Sequence, residues 1–309
     1  MLPDSMLVHI GYHKTATSWL QNVIFDDPAC GYQSILSFPE IQDLLVLPNA
    51  LDFDKDYARH EISKHIQSVG QEGMVPVITS ERLSGNPHSG GYDSLELAFR
   101  LHATLPHSKV LIVIREQTSM ILSSYKQHIR MGGRCSLRGY LKQARFAGRI
   151  PLFQYKHFEY DRLLGAYLRL FGDSKVLIIP HELLVLNPDA FITKLNEFSE
   201  SKGGENPAAS RRSNVGLSML STGMKLGLNR LGARNPNDPC GSLRIPGYNQ
   251  ILITSLAWAD RITPKCIRQS MDQAAKRVIA ADAGHRYLES NRRTADMTGI
   301  DLGEFGYQV

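Results

Sequence analysis

The sequence predicts an α/β fold: a doubly wound, mainly parallel sheet with a P-loop-like anion-binding loop near its start. Three observations carry this. Short Val- and Ile-rich runs recur without clean alternation, as strands buried on both faces read. Helix-like segments separate them, which is the pattern of a sheet covered on both faces. The first run ends in Gly11, followed at once by a basic and hydroxyl-rich turn, "GYHKTATSW".

Taken in order, the strands are expected at 6–11 ("MLVHIG"), 75–80 ("VPVITS"), 109–115 ("KVLIVIR") and 175–180 ("KVLIIP"). Helices are expected at 17–25, 93–104, 118–131, 156–171 and 189–200. Residues 201–216 ("SKGGENPAASRRSNVG") read as a loop from their Gly, Pro and Ser content, and 231–249 as a second irregular stretch. Residues 260–300 read as helical. Ligands of such sheets sit beyond the carboxyl ends of the strands, so the residues just after 11, 80 and 115 are the ones to read for chemistry.

The 309 residues are 42% apolar and 21% charged, ordinary for a globular chain able to bury a core. The formal charge of +5 suits an anionic ligand. No basic and aromatic stripe accompanies it, so no nucleic-acid partner is expected. The four cysteines, Cys30, Cys135, Cys240 and Cys266, are scattered without a CxxC pair, so neither a disulfide framework nor a zinc site is expected. No secretory leader pattern opens the sequence, and no apolar run is long enough to span a bilayer. A cytoplasmic location without membrane insertion is the expectation; the oligomeric state is not readable.

At the first loop, Thr17 or Ser18 opens a helix, whose first N–H groups lack internal partners and carry the positive end of its dipole. Lys14 adds a full charge, and Thr15, Thr17 and Ser18 add hydroxyls; together they form an oxyanion cradle. The alternative is an N-capped helix with Lys14 merely solvated. The Walker A pattern does not fit, since no glycine precedes Lys14 and the lysine follows Gly11 by only three residues. The strand ends offer Ser80–Glu81 and Arg115–Glu116, not the Asp that holds magnesium in nucleotide-triphosphate sites.

At the second junction, "KVLIVIREQTSMILSSYKQHIR", Arg115 ends a strand, Thr118 is a plausible N-cap, and Ser123 follows eight residues after Arg115. An arginine fork and a helical serine can grip one phosphate from two sides. The alternative is an ion pair of Arg115 with Glu81 or Glu116.

Together these stretches resemble the sulfotransferases that use 3′-phosphoadenosine 5′-phosphosulfate (PAPS). The family's PKSGTTWL-like loop corresponds to His13-Lys14-Thr15-Ala16-Thr17-Ser18-Trp19-Leu20, and its RxPxxRxxSxY motif is matched by Arg115, Ser123 and Tyr125. His13 stands for proline, Ala16 for glycine, Gln117 for proline and Met120 for the second arginine. The resemblance covers residues 6–200; the remainder matches loosely, through "SNVGLS" and "GIDLGEFGY", which look like bacterial carbohydrate-type members.

The resemblance implies a single sulfotransferase-like domain over 1–309, with an α/β core at 6–200 and a loop-rich, helical part at 201–309 completing the cofactor and acceptor sites. It implies transfer of the PAPS sulfuryl group to an acceptor hydroxyl of a small molecule or glycan, with 3′,5′-adenosine bisphosphate as product and no metal. Lys14 would neutralise the bridging oxygen, and Thr15, Ala16, Thr17, Ser18 and Trp19 would line the 5′ end. Arg115 and Ser123 would hold the 3′-phosphate, with Arg212 in a loop over the adenosine. An acceptor hydroxyl needs a base: Glu81 at its strand tip is the first choice, and His13 is its rival. A kinase with a degenerate phosphate loop, or a non-catalytic nucleotide- or glycan-binding protein, are the competing functions.

Overall fold

The computed structural model describes residues 6–69, 73–142, 152–203, 216–232 and 248–309. Five strands form one sheet: β1 (Leu7–His9), β2 (Tyr32–Ser34), β3 (Val75–Thr79), β4 (Lys109–Ile114) and β5 (Val176–Pro180), in the order β2-β3-β1-β4-β5. Every pairing is parallel; Val8 lies between Ile78 and Val110, and Ile112 faces Ile178.

The apolar runs become strands because both faces need apolar side chains. Along β4, Val110, Ile112 and Ile114 enter one hydrophobic core and Leu111 and Val113 the other. That period of two puts successive residues on opposite faces of the sheet. Each of the five is essentially inaccessible to solvent. Truncating any one of them to alanine would cost about 2–5 kcal/mol.

The helices follow in chain order: α1 (Thr17–Trp19, continued by a wider turn through Leu20–Phe25), α2 (Phe38–Ile41), α3 (Lys55–Val69), α4 (Ser94–Thr104) and α5 (Gln117–Arg130). Next come α6 (Leu137–Leu141), α7 (Tyr160–Phe171), α8 (His181–Leu186) and α9 (Pro188–Ser199), then α10 (Met219–Gly232), α11 (Tyr248–Ile262), α12 (Lys265–Ala283) and α13 (Leu288–Thr298).

All four expected strands form, and the five expected helices fall within a few residues of their predicted bounds. The 156–171 segment divides into a 3-10 turn at Tyr155–Phe158 and α7. Edge strand β2, the short helices α2, α6 and α8, and the longer α3, α10 and most of α11 were not expected. Of the stretch expected to be irregular, 231–232 end α10, 233–247 lies outside the described residues, and 248–249 already belong to α11. The C-terminal helices share the main core: Ala275, Ile279 and Tyr287 join the cluster that contains β4. Lys126 of α5 pairs with Asp272 of α12 at 2.8 Å, and Gln117 donates to Asn291 of α13 at 2.5 Å.

Strand β1 is central, and the chain crosses from its β3 side to its β4 side. That reversal opens a crevice at the carboxyl ends of the three middle strands. The loop after β1, Glu81 after β3 and Arg115 after β4 all lie there.

Candidate functional site

The loop from Gly11 to Thr17 is held from below. Tyr12 N donates to Val113 O at 3.1 Å, and the buried Thr15 hydroxyl donates to Tyr12 O at 2.5 Å. Gly11 has to be glycine: a Cβ there would lie 2.5 Å from His9 Nε2. Lys14 and Ala16 sit in the left-handed region, with φ of 68° and 65°. Non-glycine residues adopt this region at a cost, and such strain collects at functional loops. Two left-handed residues within three positions turn successive N–H groups towards one side, as anion-binding nests do.

The hydrogen-bond ledger of the loop is one-sided. Among the described residues, no backbone N–H from His13 to Ser18 has a protein acceptor, and the buried Thr17 hydroxyl has no partner. A run of free N–H groups at a helix start, with a buried hydroxyl left over beside it, is able to receive an anion. Thr15 contributes its N–H, since its hydroxyl is spent on Tyr12. Ser18 is exposed, and Trp19 is half-buried against the core under β1.

Lys14 makes no ion pair among the described residues. Burial pushes its ammonium below the usual lysine range; Glu81 opposes this, and the charges of Arg130 and Arg115 add to it. Arg130 was not anticipated. The signal was present, since it follows Ser123 by seven residues and so shares a face of α5 with it.

Arg115 ties the two halves of the crevice together. Its Nη1 donates to Lys14 O at 2.9 Å and to Ser123 Oγ at 3.2 Å. Its own carbonyl accepts from the Tyr160 hydroxyl at 2.5 Å, which fixes the strand tip. The ion pairs with Glu81 or Glu116 do not form. Among the described residues, Nε and Nη2 have no acceptor, leaving one edge of the fork for an oxyanion. Burial lowers the guanidinium pKa, with Glu182 foremost among the carboxylates opposing it.

The cap of α5 is Glu116, not Thr118. Its carboxylate accepts from Thr118 N at 2.7 Å and Ser119 N at 2.8 Å. A side-chain anion therefore occupies this helix start, and a phosphate at this junction would depend on Arg115 and Ser123. Met120, where the motif carries a second arginine, is fully buried in the core.

Glu81 and His13, considered separately as candidate bases, come together: His13 Nδ1 lies 3.2 Å from Glu81 Oε1. The approach is an ion-pair contact off the line of a hydrogen bond, and His13 Nε2 has no partner. Burial pushes the Glu81 carboxyl up, but His13, Lys14 and His9 together pull it down, and the net shift is below the usual carboxylate range. Glu81 thus stays ionised beside Lys14.

Arg211, Arg212 and Asn214 lie outside the described residues. Just beyond this loop, Ser218 is buried, and its N and Oγ donate to Asp260 at 2.8 and 2.5 Å. Among the described residues, no helix is long and apolar enough to cross a membrane.

The sequence matches no family model and no curated protein. Solved structures do match. A sulfotransferase from Alicyclobacillus acidocaldarius is 16% identical over 74% of this chain and 93% of its own, with a TM-score of 0.47. The sulfotransferase domain of the Synechococcus PCC 7002 olefin synthase is 12% identical over 84% and 95%, with a TM-score of 0.40. Mouse sulfotransferase SULT7A1, complexed with PAP, is 13% identical over 97% and 90%, with a TM-score of 0.39. The chain is thus similar, at low identity, to three sulfotransferases along most of its length.

Proposed function

We propose that this protein transfers the sulfuryl group of PAPS to an acceptor hydroxyl, with a carbohydrate as the expected acceptor. The observation that carries the reading is the pairing of two anion sites through one residue: Arg115 bonds the carbonyl of Lys14 and the hydroxyl of Ser123 while keeping a free edge. A donor with a phosphosulfate at one end and a 3′-phosphate nearby needs two such sites.

The residues present fit such a donor. The orphan N–H groups of His13 to Ser18 and the Thr17 hydroxyl would hold the 5′ end, and Arg115 and Ser123 the 3′-phosphate. When bound, the donor supplies the activated sulfuryl group. Lys14 would neutralise charge growing on the leaving oxygen; burial lowers its pKa, and in such a partly dehydrated site that charge would act strongly. Fixed donors and an in-line acceptor do most of the work in transfers of this kind.

The proton of the acceptor falls to the His13–Glu81 pair. A carboxylate held below its usual range is a weak base, but it can orient and stabilise an imidazole. We assign the proton to His13 Nε2, with Glu81 steadying Nδ1 from the other side.

Calorimetric titration with 3′,5′-adenosine bisphosphate tests the reading. Wild type should bind, and Lys14→Ala and Arg115→Ala should each bind about 10–100-fold more weakly, the worth of a charge-assisted contact. Absence of binding by the wild type overturns the proposal. Turnover of ATP that depends on magnesium would hand the site to phosphoryl transfer instead.

A further inference from the structure

Helix α11 turns an apolar stripe outward. On its inner side Leu256 and Asp260 are buried. Ile251, Ser255, Trp258 and Ile262 follow one another at steps of four, three and four residues, which lines them up along the opposite side. Ile251, Trp258 and Ile262 are 65%, 62% and 64% exposed. Across the corner at Thr263–Pro264, Ile267 and Met271 of α12 are exposed as well. A single exposed apolar residue is ordinary, but a stripe of large ones marks an interaction surface.

The helix is held by its inner side. Asp260 accepts from Ser221 Oγ at 2.7 Å in addition to its bonds from Ser218. Arg268 Nε donates to Thr263 O at 3.2 Å and closes the corner.

The charge around this face has one sign. Between Ile251 and Met271 stand Arg261, Lys265 and Arg268 against a single carboxylate, Asp260, which is buried and spent on the two serines. The next acid, Asp272, is paired with Lys126. Among the described residues, none of the three cations has an ion-pair partner. An apolar stripe centred on an indole, with unpaired cations beside it, is the make-up of a helix that lies in the plane of a lipid interface. At 15 residues α11 is too short to cross a bilayer and would lie on its surface. A second copy of this chain is the competing occupant. A two-fold contact sets the same patch against itself, so it would bring these three cations against the same three. Anionic lipid satisfies them instead.

We propose that the outer face of α11, with the start of α12, docks this protein on the surface of a bilayer rich in anionic phospholipid. Ile251, Trp258 and Ile262 enter the interface, and Arg261, Lys265 and Arg268 meet the lipid phosphates. The inference uses no residue of the crevice and stands apart from sulfuryl transfer.

The test is sedimentation of the full chain with vesicles of phosphatidylcholine alone, or of phosphatidylcholine with about a third phosphatidylglycerol, at low and high salt. Each cation near such a surface is worth about fivefold, so the wild type should prefer the anionic vesicles by about a hundredfold and lose most of that preference at high salt. Trp258→Ser should weaken binding about tenfold, since burying half of the exposed indole suffices for that. Arg261→Gln and Lys265→Gln should each weaken binding to anionic vesicles about fivefold and leave neutral ones unaffected. Melting temperatures should hold, because all three side chains are exposed. Tryptophan emission should shift to the blue on anionic vesicles, and Trp258→Ser should abolish the shift although Trp19 remains. No binding to anionic vesicles, equal binding to both kinds, or binding that all three variants leave unchanged overturns the proposal. So does a concentration-dependent dimer in analytical ultracentrifugation that Trp258→Ser returns to monomer, which would assign the face to a second copy.

Discussion

Lowering the pH should unfold this protein earlier than its carboxylates would dictate. In the native state His9 and His157 titrate at about 3 and His128 at about 4, against 6.5 in the unfolded chain. Burial is the main cause in each; the charge of Glu81 opposes it at His9, and that of His13 adds to it at His157. Between about pH 4 and 6.5 the unfolded state binds more protons than the native state. Stability therefore rises with pH across that window and is lost as the pH falls through it. At pH 5, relative to pH 8, each group costs about 2 kcal/mol; His181, also held at about 3, makes the four together about 8 kcal/mol, and the lowered His88 adds to it, against a total stability of about 5–15 kcal/mol. The depressed Glu81 carboxyl acts with the same sign, but only below its unfolded value of 4.5, and the Glu182 carboxyl, pushed up by burial, acts with the opposite sign above it, so the comparison with His128→Phe isolates the histidine. Thermal melts by circular dichroism at pH 8, 7, 6 and 5 provide the assay. The wild type should lose roughly 10 °C or more, and His128→Phe should lose about a fifth less. Parallel curves for the two proteins would show that His128 is not a buried neutral imidazole.

Other outcomes follow from single contacts. Ala16→Gly should raise stability by roughly 0.5–1 kcal/mol, because glycine accepts the left-handed backbone freely, and Ala16→Val should lower it; both are read from denaturant midpoints. Glu116→Ala should cost about 1–2 kcal/mol in urea unfolding through loss of the α5 cap, and Glu116→Ser should recover part of that. Glu81→Gln should lower kcat by about 10²–10⁴ while leaving bisphosphate affinity unchanged. His13→Asn should do the same, and the double variant should be no slower than the worse single one; multiplied losses would mean that the two do not act as a unit.

The sequence made the central sheet legible because burial on both faces leaves a plain mark: "KVLIVI" can hardly be anything but an interior strand. It did not reveal β2, whose three residues, Tyr32 to Ser34, are too few to carry a pattern and pair only because β3 lies beside them. Helix α3 was hidden by its mixture of His, Lys, Asp and Ser around a thin apolar stripe. Within the site, Lys14, Arg115 and Ser123 were readable because each lies at a strand–helix junction, where topology fixes position in advance. Thr118 was a reasonable cap by residue type. Glu116 displaced it because a carboxylate two residues earlier reaches two N–H groups at once. Glu81 and His13 looked like rivals, since 68 residues separate them; only the adjacency of β1 and β3 makes them neighbours.

The bond from Arg115 to the carbonyl of Lys14 makes the guanidinium a strut between two pockets. Whatever grips its free edge also sets the plane of the peptide that carries the lysine. A donor stripped of its 3′-phosphate would leave that strut unloaded and the ammonium less well aimed. On the proposed transfer, discrimination between the two donors would then appear in turnover as well as in affinity: the far end of the nucleotide would act as a checkpoint for the chemistry at the near end.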